Sequence, residues 1–377
     1  MERADDQKAE EKIMKRWKYK IIDLYIIRTF LSTFFFSLAL ILSISVIFDL
    51  SEKIDNFMEN NAPWQLVIFK YYFNFIPYFA VLFSSLFTFI TVIFFTSRMA
   101  YRSEIIAIIS SGMSFHRLLI PYFISALVIA LFSFILSDAV IPHANIIRLD
   151  FEEQYIHNAP QSVSERDIHR QIQPGVYIYM ESYSTISDIG HKFSIEKYVN
   201  GELVSKLMSD YIKWDSTINK WVIRNYYIRD IDGMHEEIRS GKSIDTTLAI
   251  HPADFKRREN FVETMNLREL KAYIKTLEMQ GESNVISYEI EKQKRYAYPL
   301  STFILTLIGV SVSSRKVKGG IGMQIGIGLL VAFSYILFMQ FSSQFAISGS
   351  LNPVLAVWIP NLGYAVISLL LYGMAPK

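Results

Sequence analysis

The sequence predicts a membrane α-helical bundle of six transmembrane helices with an inserted antiparallel β domain of jelly-roll-like type. Hydrophobic residues make up 51% and aromatic residues 15% of the 377 residues, a combination that is rare in soluble domains with long apolar runs. Six runs reach the roughly 20 residues that a spanning helix needs. Between the third and fourth runs, hydrophobic residues recur at every second position, as in half-buried strands.

The first part of the chain holds a polar, basic tail at 1–20 and three predicted spans within 21–142. The spans run from Ile21 to Phe48, from Trp64 to Thr96 and from Leu118 to Ile141. Asp23 and Arg28 lie near the start of the first span, and either could reach the interface, because side chains one turn inside can extend towards water. Pro77 predicts a kink, and residues 49–61 predict a short acidic loop.

The β domain is predicted over residues 143–265. A helix is expected at its start, over 145–156, followed by a polar loop over 161–173. Alternating segments predict strands, with turn residues between them, at 176–181, 193–199, 203–214 and 221–229. The pair Asn200-Gly201 between two of these strands favours a hairpin.

A helical connector at 266–295 leads to the last three spans. Asn266 is predicted to cap its first helix and Gly281 to end it. The spans run from Tyr296 to Val312, from Ile321 to Phe345 and from Val354 to Met374. Gly322, Gly326 and Gly328 form a small-residue face in the fifth span. The first two are spaced for close helix packing, either within this bundle or as a seam with a second membrane subunit.

Positive charge alternates between the short loops. Lysine and arginine gather in the tail, in the stretch 98–117 and in the loop 315–318, whereas 49–61 and 348–352 hold almost none. Since basic loops stay on the cytoplasmic side, both termini are predicted to be cytoplasmic. The β domain is predicted to lie outside the inner membrane.

The stretch between the second and third spans predicts a short helix at 97–112 on the membrane surface. Arg98, Arg102 and Glu104 cluster at its start, and Gly112 ends it. Isoleucines at 105, 108 and 109 would share one side of this helix. The stretch is either a helix that docks a partner or an ordinary basic loop that fixes topology.

Several kinds of chemistry are excluded or disfavoured. Without cysteine there can be no disulfide, thiolate zinc site or cysteine nucleophile. The GxxxxGK[ST] phosphate-binding pattern is absent, and the histidines lack metal-ligand spacing, so no catalytic residue, metal or cofactor is predicted. A net charge of +2 gives no case for nucleic-acid binding. Asp138 either caps the third span or relays protons, but no other ionisable residue lies where ion-coupled transport would need one.

Three segments carry a resemblance to a known family. They are RSEIIAIISSGMSFHRLL after the second span, SSRKVKGGIGM after the fourth and LNPVLAVWIPNLGYAVISLLLY over the sixth. With the order of spans and β domain, they make the chain resemble the LptF/LptG (YjgP/YjgQ) permeases of the lipopolysaccharide-export ABC transporter. The likeness covers nearly the whole chain from Ile21. IDLYIIRTF and the helix before Gly281 look more like the LptG branch.

The resemblance implies a transporter subunit that is not itself an enzyme. Such a permease pairs with a paralogous permease, and an LptB-like cytoplasmic ATPase dimer beneath them binds the ATP. Lipopolysaccharide leaves the membrane for the periplasmic jelly rolls and an LptC/LptA-like bridge. The family's coupling helix, which docks into the ATPase, corresponds to 97–112, and its glutamate to Glu104. Arg98, Arg102 and Gly112 are secondary candidates in the same helix.

Lipid contacts are expected at two places. Lys53 and Lys70 are candidates near the outer ends of the spans, although the acidic surroundings of Lys53 make phosphate capture there doubtful. Aromatic residues of the β domain could line an apolar path: Tyr177, Tyr179, Trp214, Trp221 and Tyr226. These aromatic side chains could equally form the domain core. Two other functions stay open, a membrane enzyme acting on lipid-linked sugars and an ATP-driven scaffold that moves no lipid.

Overall fold

The computed structural model describes residues 21–156, 164–252, 255, 259–281, 285–315 and 320–375. The basic tail, Lys316 and Lys318 therefore lie outside the described residues. The chain divides into two units. The helical unit comprises Met1–Glu52, Phe75–Val140 and Gln293–Lys377, and the sheet unit comprises Lys53–Asn74 and Ile141–Lys292.

Six described helices are long and apolar enough to cross a membrane, which confirms the six predicted spans. Together with two shorter helices they are, in chain order, α1 (Ile21–Glu59), α2 (Trp64–Tyr101), α3 (Glu104–Ser110), α4 (Phe115–Tyr155), α5 (Leu267–Gln280), α6 (Val285–Ser313), α7 (Gly320–Ile347) and α8 (Pro353–Gly373).

Two helices are longer than predicted. The prediction of an acidic loop at 49–61 is wrong, because α1 continues to Glu59. No glycine or proline interrupts α1 before Pro63, and its Glu and Lys residues favour helix. Helix α4 joins the third span to the helix predicted at 145–156. Pro142 does not end it. The π-helical turn Leu136–Val140 ends two residues before that proline, and such turns rearrange the backbone bonds that a proline disturbs.

The inserted domain is a six-stranded antiparallel sheet, which confirms the predicted class. The strands pair with their neighbours in chain order. They are β1 (Ser164–Gln173), β2 (Val176–Ser184), β3 (Ile189–Val199), β4 (Glu202–Asp215), β5 (Lys220–Asp232) and β6 (His235–Thr246). The prediction of a loop over 161–173 is wrong from residue 164 onward, because β1 covers that part. Strand β6 was not predicted. Both are edge strands with few apolar residues, so backbone pairing rather than hydrophobic alternation defines them.

One row of residues crosses the whole sheet without a partner in the strand register. The row consists of Asp167, Glu181, Lys192, Asp210, Asn225 and Lys242, one from each strand. Three of them, on alternate strands, have left-handed backbone: Asp167 (φ 53°), Lys192 (φ 47°) and Asn225 (φ 50°). We call this row the crease.

The crease exchanges the two faces of the sheet. In β5, Trp221 and Ile223 are buried before Asn225, and Tyr226 packs on the same core after it. Ile223 and Tyr226 are three positions apart, whereas strict alternation places residues of one face an even number of positions apart. A left-handed residue turns the strand about its own axis, so the apolar side chains on both sides of the crease reach one core.

The connector follows the prediction closely. Asn266 accepts hydrogen bonds from the backbone N–H groups of Arg268 and Glu269, and the Glu269 carboxylate accepts one from the backbone N–H of Asn266. This reciprocal pair is a capping box. Gly281 ends α5 in the left-handed region at φ 69°. The charged segment before the fourth span is the first part of α6.

Candidate functional site

The predicted coupling segment is shorter than 97–112. Residues 97–101 belong to α2, and the separate helix α3 covers only Glu104–Ser110. Ser103 separates the two helices with left-handed backbone at φ 63°, and Gly112 follows α3 at φ 89°. A side chain at Gly112 would meet no described atom within 4 Å. Gly112 therefore serves the backbone turn, since left-handed φ favours glycine.

One side of α3 is anchored in the helical unit, as the isoleucine spacing predicts. Ile105 is 1% exposed and belongs to a core cluster with Met99, Phe115 and Leu118, and the side chains at 108 and 109 pack partly on it. Ile106 is 52% exposed on another side of the helix. The helix is thus held along one face and open along another.

Two polar contacts link the first turn of α1 to the surroundings of α3. Arg117 donates from both Nη atoms to the two carboxylate oxygens of Asp23, at 2.9 and 2.5 Å. Tyr25 donates its hydroxyl to Oε2 of Glu104 at 3.5 Å. Asp23 is 5% exposed and therefore buried within the chain, and its position relative to the interface stays a prediction. The sequence gives no signal for either contact.

A cleft of about 170 Å³ opens beside α3. Arg98, Arg102 and Glu104 share its wall with Tyr25 and Phe95. The structure therefore brings together three of the four predicted coupling residues, two positive and one negative. Gly112 lies at the opposite end of α3 and is not part of this wall.

The aromatic lipid-contact candidates lie on two different sides of the sheet. Trp221 is fully buried, and its indole N–H donates to the Ile250 carbonyl at 2.9 Å. Trp214 and Tyr226 pack partly against the same core. Tyr177 and Tyr179 instead line a groove on the outward face. The five residues therefore cannot form one continuous surface.

Lys53 is occupied by contacts within the sheet unit. Its ammonium contacts the Tyr71 hydroxyl, lies 5.0 Å from the centre of that ring and is 4.0 Å from Oε1 of Glu152. Arg148 lies 3.7 Å from both Glu152 and Glu263. Sequence reasoning missed these last three residues. Lys70, by contrast, is exposed in the π-helical segment of α2.

The glycine pair of the fifth span has room around it. A Cβ at Gly322 or Gly326 would meet no described atom within 4 Å. Within the helical unit, close packing occurs instead at Gly328, the third glycine of the predicted face, and at Gly309, which the sequence did not single out. A Cβ at Gly309 would lie 2.8 Å from Cγ1 of Val92, and one at Gly328 would lie 2.1 Å from Cδ1 of Ile93. Packing against the described residues therefore does not explain Gly322 and Gly326.

Comparison with curated proteins gives one partial likeness. Over 149 residues the chain is 26% identical to the mitochondrial enoyl-[acyl-carrier-protein] reductase of Saccharomyces cerevisiae. The match covers 38% of this chain and 36% of the reductase, so the chain spans about a third of that relative's length. A likeness this partial does not show a family.

The family comparison, in contrast, spans almost the entire chain. The family described as lipopolysaccharide export system permease LptF/LptG matches residues 24–373. This range contains all six apolar helices and the inserted sheet. It does not separate the LptF branch from the LptG branch, so the LptG-like preference stays a prediction. By the extent of this match, the chain is a multi-pass membrane protein that belongs to the LptF/LptG family of lipopolysaccharide export permeases.

Proposed function

We propose that this chain is one of two paired permease subunits in an ATP-driven lipopolysaccharide exporter of the bacterial inner membrane. An LptB-like ATPase dimer on the cytoplasmic side supplies the energy, and an LptC/LptA-like bridge receives the lipid on the periplasmic side. Both termini and α3 face the cytoplasm in this proposal, and the sheet is periplasmic. The basic stretch around Arg98, Arg102 and Arg117 supports that orientation.

The observation that carries the proposal is the way α3 is held. Its buried Ile105 and the contact between Tyr25 and Glu104 fix it to the helical unit, while Ile106 remains exposed. A short helix anchored on one side can pass the movement of a docked protein to the spans that flank it. Its acidic first residue and the neighbouring arginines offer a charged contact to that partner.

The sheet core supports a role in receiving lipid. Each acyl CH₂ withdrawn from a bilayer costs about 0.8 kcal/mol, so a lipid with several chains must be passed directly to another apolar surface. Tyr226 and Leu207 pack at the margin of the core and are only partly buried. We assign this margin, rather than the fully buried Trp221, as the place where acyl chains contact the sheet.

The exposed glycine face supports pairing with a second permease. Small residues let helices approach closely in lipid, where dispersion contacts replace the hydrophobic effect as the source of association. Because no described part of this chain packs on Gly322 or Gly326, we assign this face to the paralogous subunit.

The test is reconstitution of this chain with its partner permease, ATPase and bridge protein in vesicles that contain lipopolysaccharide. We expect lipid to appear on the bridge protein only when ATP is hydrolysed. A complex without this permease is the control. An assembly that hydrolyses ATP but transfers no lipid would favour a scaffold function over export.

A further inference from the structure

The outward face of the sheet carries a groove of about 710 Å³. Its floor is a single register row in which each residue pairs with the next across five strands: His169, Tyr179, Ser194, Met208 and Tyr227. Since adjacent strands are about 4.8 Å apart, four strand spacings make this floor about 19 Å long. It is long enough for an extended ligand that crosses the strands.

The floor is aromatic and partly open to solvent. Tyr227 is 43% exposed, and Tyr177 on the neighbouring row is 42% exposed. The rings of His169 and Tyr179 lie 4.6 Å apart. Exposed aromatic rings of this kind offer flat apolar faces with polar tips.

Both sides of the floor are polar. Glu196 and Lys206 line one side and form an ion pair at 2.7 Å. Lys192, Asp210 and Asn225 of the crease line the other, where Asn225 donates to Asp210 at 2.8 Å. The Lys192 ammonium is paired with Glu181 at 2.6 Å. Each lysine therefore has a carboxylate beside it, and the groove has no surplus positive charge.

This composition separates the possible ligands. An acyl chain would have to desolvate the charged sides, and an anion would find each lysine already paired. A neutral sugar chain suits both the floor and the sides of the groove. Its ring faces can lie on the tyrosines, while its hydroxyl groups form hydrogen bonds with the polar sides. We propose that the groove binds a short neutral oligosaccharide. The source of this sugar would be the glycan of the exported lipid, and in that respect the proposal rests on the proposed function and deepens it.

The binding test uses the full chain in detergent and a neutral oligosaccharide fragment of the outer lipopolysaccharide glycan, free of lipid, acidic sugars and phosphate. The Tyr177→Ala/Tyr227→Ala variant should bind this oligosaccharide about tenfold more weakly than wild type, because two stacking contacts are lost. Tyr211→Ala, which removes a tyrosine beyond the crease and outside the groove, should bind like wild type. Resistance of the sheet to limited proteolysis reports whether it is folded in each variant.

A second variant covers the case in which the double variant does not fold. Met208→Lys places a charge on the floor beside Tyr227, on a side chain that is 37% exposed, and should weaken binding at least as much. Absence of binding by the wild-type chain, or equal binding by wild type and a folded groove variant, would overturn the proposal.

Transport assays separate this proposal from the proposed function. In the reconstituted exporter, Tyr177→Ala/Tyr227→Ala should slow transfer of the complete glycolipid but not of the same lipid stripped of its outer sugars. If the wild-type complex transfers neither lipid but the chain binds the free oligosaccharide, the export function is wrong and the assignment of the groove as a sugar site is supported. If lipid transfer is normal but the oligosaccharide does not bind, only the assignment of the groove as a sugar site is wrong.

Discussion

Arg117 donates hydrogen bonds from both of its terminal nitrogens to the carboxylate of Asp23, which lies 94 positions earlier in the chain. The contact joins the start of α1 to the start of α4, directly after the short helix α3. Tyr25, two residues beyond Asp23, contacts Glu104 at the other end of α3. The start of α1 thus contacts the first residue of α3, which we assign to ATPase coupling, and the helix that follows it.

Removing the Asp23 carboxylate should destabilise the helical unit. The Asp23 side chain is 7% exposed and that of Arg117 30%, so Asp23→Ala should cost about 2 kcal/mol. Thermal unfolding in detergent measures this loss. The exchanged pair Asp23→Arg/Arg117→Asp should recover part of it, while Arg28→Ala, at an exposed arginine of the same helix, should change little. An unchanged melting temperature in Asp23→Ala would contradict the prediction.

Changing Glu104 should disturb ATPase docking and not the fold. Glu104→Ala should weaken binding of the ATPase by about tenfold, as expected for one charged contact, with thermal stability unchanged. Tyr25→Phe should have a smaller effect in the same direction, because it only frees the carboxylate from a 3.5 Å contact. Co-purification and ATP-driven lipid transfer provide the readouts. Normal docking and transfer in Glu104→Ala would remove the coupling role.

Two glycines should respond differently to the same substitution. Gly309→Leu should destabilise the chain by about 1–3 kcal/mol, because its Cβ alone would come within 2.8 Å of the stiff Val92 side chain. Gly326→Leu should leave the single chain as stable as wild type but reduce its co-purification with the second permease. Unimpaired pairing in Gly326→Leu would leave that face without the assigned partner.

Stability should depend on pH through Glu196. The hydrogen bond from Lys206 lowers the pKa of this carboxyl group, so its stabilisation is complete above the unfolded pKa of about 4.3. It is lost as pH falls through the lower folded pKa. Glu196→Gln should therefore reduce stability by about half a kcal/mol at pH 7 and by nothing near pH 2. Thermal unfolding of wild type and Glu196→Gln between pH 2 and pH 7 measures the difference in stability. A difference that does not change with pH would contradict the stabilising role of the Glu196 carboxylate.

Lipid should contact the inner margin of the sheet during transport. A photocrosslinking amino acid at Tyr226 should capture lipopolysaccharide through its acyl chains when ATP is hydrolysed, because this side chain borders the core and is only partly buried. The same probe at Tyr211 serves as the control. Lipid adducts that are equal at both positions, or absent along the whole of β5, would leave the sheet as a scaffold.

Local sequence signals located the elements whose structure depends on local physics. Hydropathy found all six spans, because a helix in lipid must be apolar over a fixed length. Asn266 and Gly281 marked the ends of α5, because capping involves only neighbouring residues. The same signals failed at 49–59 and at β1. A charged helix looks like a loop when apolar content is the guide, and an edge strand is defined by its partner's backbone.

Tertiary structure alone decided how distant side chains combine. The sequence by itself determined the six spans, the inserted antiparallel sheet and a charged segment at Glu104. It could not give Asp23 its partner or show that Lys53 is held by Tyr71 and Glu152, since such contacts depend on helix packing. Nor could it separate Tyr179 from Trp221, although both lie in the same sheet. The crease exchanges the faces of each strand, so alternation along the chain no longer shows which side chains share a surface.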